Sequence, residues 1–457
     1  MSIAFLYSLF TKGIGAVLEV VLQIIITRTL GVSGYGTYST WINVADFAFW
    51  VLFSGLVKCN TFYLSDQRSS TRKFKQKYYL RYVLPVLSAL VIVAIMLSNS
   101  IVWVLVLSIA GLQLLVLDQS SALLARGRVT VSLIGEYVLG RIILLLGVVF
   151  LWIADKLSPR CLLVLYVFQY ICVLLFYLVK RNREACYIDS SSTVSLKKWV
   201  AFQRADIVQA MISQMPVLLQ YCFSGSFDAG VVSIVLLVKK LINFISGPTA
   251  KVFLPEFSRL YRAGEKESLR KCFASIMRMQ MLFLGPLAVV LLGFPGTILK
   301  LFAEELLEYV NYFVICAVVF LIAASLGPCG GFMQMTGQEK KDNMYRELAV
   351  LAMLGVMVVL SKNWMFVLYG LCAQTAIEAV GKFLSVFAWM GKSPVTIRTY
   401  ISGWIPPTIA VVLAKLLQLQ TFYAMIAFTG CVCAIGFVAE LRSEDSSLRG
   451  LLEWRKR

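Results

Sequence analysis

Apolar segments of roughly 18 to 25 residues alternate with short polar connections along nearly the whole chain. Helices of that length cross about 30 Å of hydrocarbon, whereas strands of a transmembrane barrel would run about 10 residues with strict alternation. The pattern predicts about fourteen membrane-spanning helices. The first six lie roughly at 3–28, 36–57, 79–98, 101–125, 130–153 and 161–179. The next six lie roughly at 198–222, 229–250, 275–298, 307–330, 344–361 and 364–389, with a final pair near 399–418 and 420–440. The expected fold is an all-α integral membrane protein. The first segment is too long for a cleavable signal and carries Lys12 and Glu19, so it reads as a retained span.

The first two spans meet at Thr27-Arg28-Thr29-Leu30-Gly31-Val32-Ser33-Gly34-Tyr35-Gly36-Thr37-Tyr38, a Gly-rich stretch that predicts a tight turn. A basic run from Lys58 to Arg81 follows. A variant of this arrangement returns in the second half. Gly34-Tyr35-Gly36 opens span two, and Phe227-Asp228-Ala229-Gly230 opens span eight. Six spans separate the copies, an even number, so the halves share one orientation, as parallel repeats do. The expected organisation is a six-helix bundle over 1–180, a cytoplasmic linker over 181–197 and a second six-helix bundle over 198–390. An extra helix pair with a basic tail fills 391–457.

Composition agrees with the pattern: 59% of residues are hydrophobic and 15% charged, with a mean hydropathy of +0.80. The net charge of +19 would suit a nucleic-acid binder if it were clustered on one face. Instead Lys and Arg collect in the loops after even-numbered spans and in the tail, which is the positive-inside distribution. That places both termini in the cytoplasm and points away from nucleic acid. The eleven cysteines lie mostly within apolar spans and read as reduced, buried small side chains. Histidine is absent, which removes His-based metal sites, His proton relays and Ser-His or Cys-His catalysis.

Charge inside a span is costly and marks candidate function. Span one carries Lys12, Glu19, Gln23 and Thr27 on one face, with Arg28 at its outer mouth, where it could simply snorkel. Span two offers Ser39, Asn43, Asp46, Trp50 and Ser54 at the same spacing. Span seven offers Asp206, Gln209, Ser213 and Gln220, with Arg204 nearby. Span eight places Lys239 and Lys240 near its middle. Two adjacent ammonium groups point to different sides of a helix, so one neutral environment cannot serve both. A water-filled cavity holding an anion would account for at least one of them. The alternative for each charge is a structural ion pair, and the spacing favours this for Arg141 with Glu136 and for Lys382 with Glu378. Gly327-Pro328-Cys329-Gly330-Gly331 should break span ten.

Arg28-Thr29-Leu30-Gly31 followed by Tyr35-Gly36-Thr37-Tyr38 resembles the opening of the polysaccharide transporter family of the MOP superfamily, especially Wzx-type O-antigen and repeat-unit flippases. The run from Gly247-Pro248 to Leu254-Pro255-Glu256-Phe257-Ser258-Arg259-Leu260 is similar to that family's eighth-helix exit. Many members have twelve spans; the count of fourteen looks more like other branches, including the lipid II flippases. The resemblance implies two bundles that move an undecaprenyl-pyrophosphate-linked oligosaccharide across the bacterial cytoplasmic (inner) membrane by alternating access, through a cationic cavity and with no covalent chemistry. It implies membrane lipids as partners, a polysaccharide polymerase and chain-length machinery as further ones, and coupling to H+ or Na+ in place of a cofactor. Its cationic cavity maps onto Lys12, Arg28, Arg204, Lys239 and Lys240, and its coupling acids onto Glu19, Asp46 and Asp206.

Two other readings compete. A cation-coupled multidrug exporter of the same superfamily would favour an acidic cavity, whereas Lys239 and Lys240 make this one basic. A membrane-embedded polymerase or ligase would need a large outer loop bearing catalytic residues, and the outer loops here are short.

Overall fold

The computed structural model describes residues 3–55, 57, 101–125, 128–180, 196–361, 363–391, 397–418 and 421–442. The expected span at 79–98, the basic run from Lys58 to Arg81 and most of the linker lie outside them. All regular elements among the described residues are helical. Helix α1 (Ile3–Leu52) is broken at Gly31, whose φ of 70° and ψ of 171° lie outside the helical region. The predicted turn thus narrows to one residue, and a glycine stands where a side chain would be strained. Helix α2 is Ile101–Ala125. Val129–Leu133, a π-helical turn at Ile134–Leu139 and Gly140–Ile153 run on as α3. Helix α4 is Pro159–Lys180.

The seventh span is two helices, α5 (Leu196–Ser213) and α6 (Met215–Ser224), parted just before Pro216. Proline removes a backbone donor and favours the first helical turn, so the restart falls there. Helix α7 (Ser226–Arg262) continues well past the apolar stretch. Then come α8 (Lys266–Ala288), α9 (Pro295–Phe302) and α10 (Val310–Ser325). The predicted break in span ten is present: α10 stops, Gly327 takes φ 88°, and α11 (Cys329–Met335) begins after Pro328. Helices α12 (Glu339–Val359), α13 (Phe366–Met390), α14 (Ile397–Leu416) and α15 (Phe422–Arg442) complete the chain.

Burial is inverted relative to a protein in water. Phe150 and Val179 are 71% and 81% exposed, while Gln220, Gln280 and Gln374 are 1% exposed or less. Bilayer hydrocarbon accepts the first group at no cost, but each amide must find partners inside the protein. Seven helices among the described residues are long and apolar enough to cross a membrane, and α14 and α15 contain shorter apolar stretches.

Two compact units are present, one of residues 6–233 and one of residues 234–457 with the first five. In the first, α2 packs along α4, and Val116, Leu123, Val173 and Tyr177 form a core cluster. In the second, α12 packs along α13. Phe257, Phe273 and Phe332 pack at centroid distances of 5.3–6.2 Å, the first two stacked and Phe332 edge-on to both. At the start of α10 and α13, Tyr309 and Tyr312 pack edge-on to Trp364, as aromatics do at a membrane–water boundary.

Candidate functional site

Within residues 6–233 the polar interior is built around Glu19. Its Oε2 lies 2.8 Å from Arg141 Nε on α3, and its Oε1 accepts from Gln23 Nε2 at 2.9 Å. Arg141 therefore pairs across to α1 instead of along its own helix to Glu136, which accepts from Ser120 Oγ. Tyr38, Tyr166 and Tyr170 lie within electrostatic reach of the Arg141 guanidinium. Tyr38 donates to Tyr166 at 2.9 Å, and Asp46 lies within electrostatic reach of Tyr166 and Tyr170. Lys12 sits over the Tyr137 ring at 5.2 Å, a cation–π contact. Arg28 and Arg204 are exposed, whereas Asp206 is buried.

The two copies of the repeated motif meet in this same unit. Ser33, Gly36 and Ser39 on α1 face Ser226, Gly230 and Ser233 on α7, a row of small residues that lets backbones approach. Ser33 Oγ and Ser226 Oγ are 2.6 Å apart, and Ser39 donates to Ser233 at 2.7 Å. Gln203 on α5 bonds the other end of the second span, accepting from Gly55 N at 2.8 Å and donating to the Trp50 and Val51 carbonyls at 2.7 Å. The sequence reading missed Gln203, although it lies three residues before Asp206 and continues the same stripe.

Within residues 234–457 the site centres on Lys239. Its Nζ donates to Gln374 Oε1 at 2.8 Å and to Thr375 Oγ1 at 3.0 Å, both on α13, and lies 5.3 Å from the Phe320 ring centroid on α10. Lys240, its neighbour, is exposed, as two adjacent positions on a helix require. From Gln374 a polar chain runs along α13. The Gln374 amide donates to Glu378 at 2.6 Å, Lys382 donates to Glu378 at 2.7 Å, and Lys382 also lies 2.7 Å from Asp342 Oδ1 on α12. Asp342 is further held by Arg346 at 3.2 Å and by Gln334 Nε2 at 2.9 Å. The Lys382–Glu378 pair is the one the spacing predicts. Asp342 was missed because it sits in the polar first turn of α12, which reads as a wetted helix end. Gln374 and Thr375 carry no charge and gave no signal.

The arrangement can present a fixed positive charge inside an apolar body, with its hydrogen bonds made to neutral oxygens. Among the described residues, no group of three or more Cys, Asp or Glu side chains could hold a metal ion.

No family model matches this sequence, and no curated protein matches it. Solved structures do. Lipid II flippase MurJ, in an inward closed conformation, is similar with a TM-score of 0.69 at 13% identity, over 96% of this chain and 99% of that one. An inward-facing multidrug resistance MATE family transporter of the MOP superfamily has a TM-score of 0.56 at 12% identity, over 86% and 95%. A MOP superfamily transporter from Pyrococcus furiosus, described by the reverse polarity of its binding pocket, has a TM-score of 0.51 at 12% identity, over 90% and 96%. These neighbours are transporters and a flippase, not enzymes, and the chain has the multi-pass fold that they share.

Proposed function

We propose that the protein is a flippase for an undecaprenyl-pyrophosphate-linked oligosaccharide unit in the bacterial cytoplasmic membrane, with both termini in the cytoplasm. The observation that carries this is Lys239. A charged ammonium inside a span is retained at a cost of several kcal/mol unless something offsets it. Its two hydrogen-bond acceptors, Gln374 and Thr375, orient it without neutralising it. An anion on a lipid carrier is a group that such a charge serves, because a diphosphate crossing hydrocarbon pays the same desolvation penalty. The match to a lipid II flippase over nearly the whole of both chains supports a lipid-linked cargo.

In this reading 1–180 and 198–390 act as the two bundles of an alternating-access cycle, with 391–457 as an appended pair. Lys12, Arg28, Arg204 and Lys240 join Lys239 as cavity cations. Glu19, Asp46 and Asp206 carry the coupling to H+ or Na+. The cargo is an O-antigen unit of lipopolysaccharide biosynthesis, and a polysaccharide polymerase with its chain-length machinery receives it outside.

The test is surface glycan in a strain lacking the gene, complemented with wild type or with Lys239→Ala/Lys240→Ala, with membrane expression measured for each. The expected result is loss of polymer in the deletion, lipid-linked units accumulating on the cytoplasmic leaflet, and no rescue by the expressed double variant. Units that reach the outer leaflet unpolymerised would overturn the transport reading in favour of a polymerase. Full rescue by the variant would remove both lysines from the site.

A further inference from the structure

Nine cysteines are free among the described residues, and two of them touch: Cys372 Sγ on α13 lies 3.6 Å from Cys316 Sγ on α10. They sit beside Lys239, within its electrostatic reach. Cys316 is one turn before Phe320, whose ring lies 5.3 Å from the Lys239 ammonium. Cys372 is two and three residues before Gln374 and Thr375, which accept that ammonium's hydrogen bonds. The thiol pair thus joins the two helices that both contact Lys239.

We propose that Cys316 and Cys372 are a dithiol modification site, closed to an intramolecular disulfide by exchange with a disulfide oxidant. Closure needs the sulfurs to approach from 3.6 Å to about 2.0 Å, a movement that side-chain rotation and a small helix shift supply. The two thiols differ in access, which sets the order of events: Cys316 is 2% exposed and Cys372 is half-buried. The Cys372 thiolate attacks the oxidant's disulfide, bonding one of its sulfurs and releasing the other as a thiolate. The Cys316 thiolate then attacks the Cys372 sulfur, and the second oxidant thiolate leaves. The two departing thiolates take up the two protons that the cysteines gave up, so one disulfide is reduced and one is formed. The bond would pin α10 to α13 across the Lys239 contacts.

The topology proposed above puts the first turns of α10 and α13 on the outer side of the membrane. Cys316 and Cys372 each follow the first residue of their helix, Val310 and Phe366, by six positions, about 9 Å along the axis. That is the side on which disulfides persist. The proposal does not depend on the cargo.

The experiment treats the purified full chain with oxidised glutathione, blocks remaining thiols by alkylation and maps peptides by mass spectrometry without reduction. Expected is a cross-linked peptide pair joining Cys316 to Cys372 that disappears on reduction. In Cys316→Ser the exchange should stall, leaving a glutathione adduct on Cys372. Wild type in which Cys372 carries the adduct without cross-linking, in which both thiols remain open to alkylation, or in which either pairs elsewhere would overturn the site.

Discussion

Gly36 and Gly230, one from each copy of the repeated motif, meet backbone to backbone. A Cβ on Gly36 would stand 1.7 Å from the Ser226 carbonyl oxygen and 2.7 Å from Gly230 N. Neither neighbour is a side chain that can swing away, so the two helices would have to part. Gly36→Ala should therefore cost at least the ~1–3 kcal/mol of an overpacked core. Gly430→Ala is the control, because nothing lies within 4 Å of its added Cβ. Thermal unfolding in one detergent checks both: Gly36→Ala should melt well below wild type, and Gly430→Ala should match it. Equal melting of the two variants would mean that the helices do not cross this closely.

The same crossing can be read by chemistry. In a chain freed of its own cysteines, Ser33→Cys with Ser226→Cys, and Ser39→Cys with Ser233→Cys, replace hydroxyl oxygens 2.6 and 2.7 Å apart. Both pairs should form disulfides under mild oxidation, seen as a shift in the chain's gel mobility that reduction reverses. The mismatched combination of Ser33→Cys with Ser233→Cys should not. Cross-linking of the mismatched pair at a similar yield would show that the register is wrong.

Glu19 holds an ion pair whose worth stability measures. As half of an ion pair with Arg141 at 2.8 Å, its loss leaves a guanidinium inside the protein without its carboxylate. Breaking such a pair costs about 3 kcal/mol when it is well buried, and somewhat less here because both side chains keep partial exposure. Glu19→Gln and Arg141→Gln should each lower the melting temperature, and the double variant should lower it by less than their sum. Additive losses would refute the pairing. The coupling role proposed for Glu19 adds a second readout: Glu19→Gln should lose transport beyond what its loss of stability explains.

What the sequence made legible divides along physical lines. Helix positions follow from apolar length, because a bilayer fixes how many residues a span needs, and 101–125 and 130–153 appear as helices end to end. The Gly327-Pro328 break follows from local backbone chemistry. The Lys382–Glu378 pair follows from helical spacing. Arg141 with Glu19 was not legible, since which faces of two helices meet is a property of packing that neither helix encodes alone. The neutral members escaped for a different reason: Gln203, Gln374 and Thr375 carry no charge, and their buried hydrogen bonds are what single them out.

The cluster of Asp342, Lys382, Glu378 and Arg346 tests how a membrane interior holds charge. Two carboxylates and two cations make it neutral as a group, with Asp342 at 1% and Lys382 at 6% side-chain exposure. Lys382→Met removes one of the two cations that the carboxylates share and leaves one negative charge in excess. That should cost about 3–5 kcal/mol, the penalty for an uncompensated buried charge. Asp342→Asn with Lys382→Met restores neutrality through Arg346 and Glu378, so it should recover part of the loss and not deepen it. Melting temperatures of the two singles and the double, taken at one pH and salt, decide the matter. A double variant as unstable as the sum of its singles would mean that the four side chains do not act as one unit. Glu378→Gln adds a functional reading, because Gln374 bonds Glu378 with its amide and Lys239 with its carbonyl oxygen. Loosening that bridge should weaken glycan rescue more than a stability loss of equal size produced by Gly36→Ala, which does not touch Lys239.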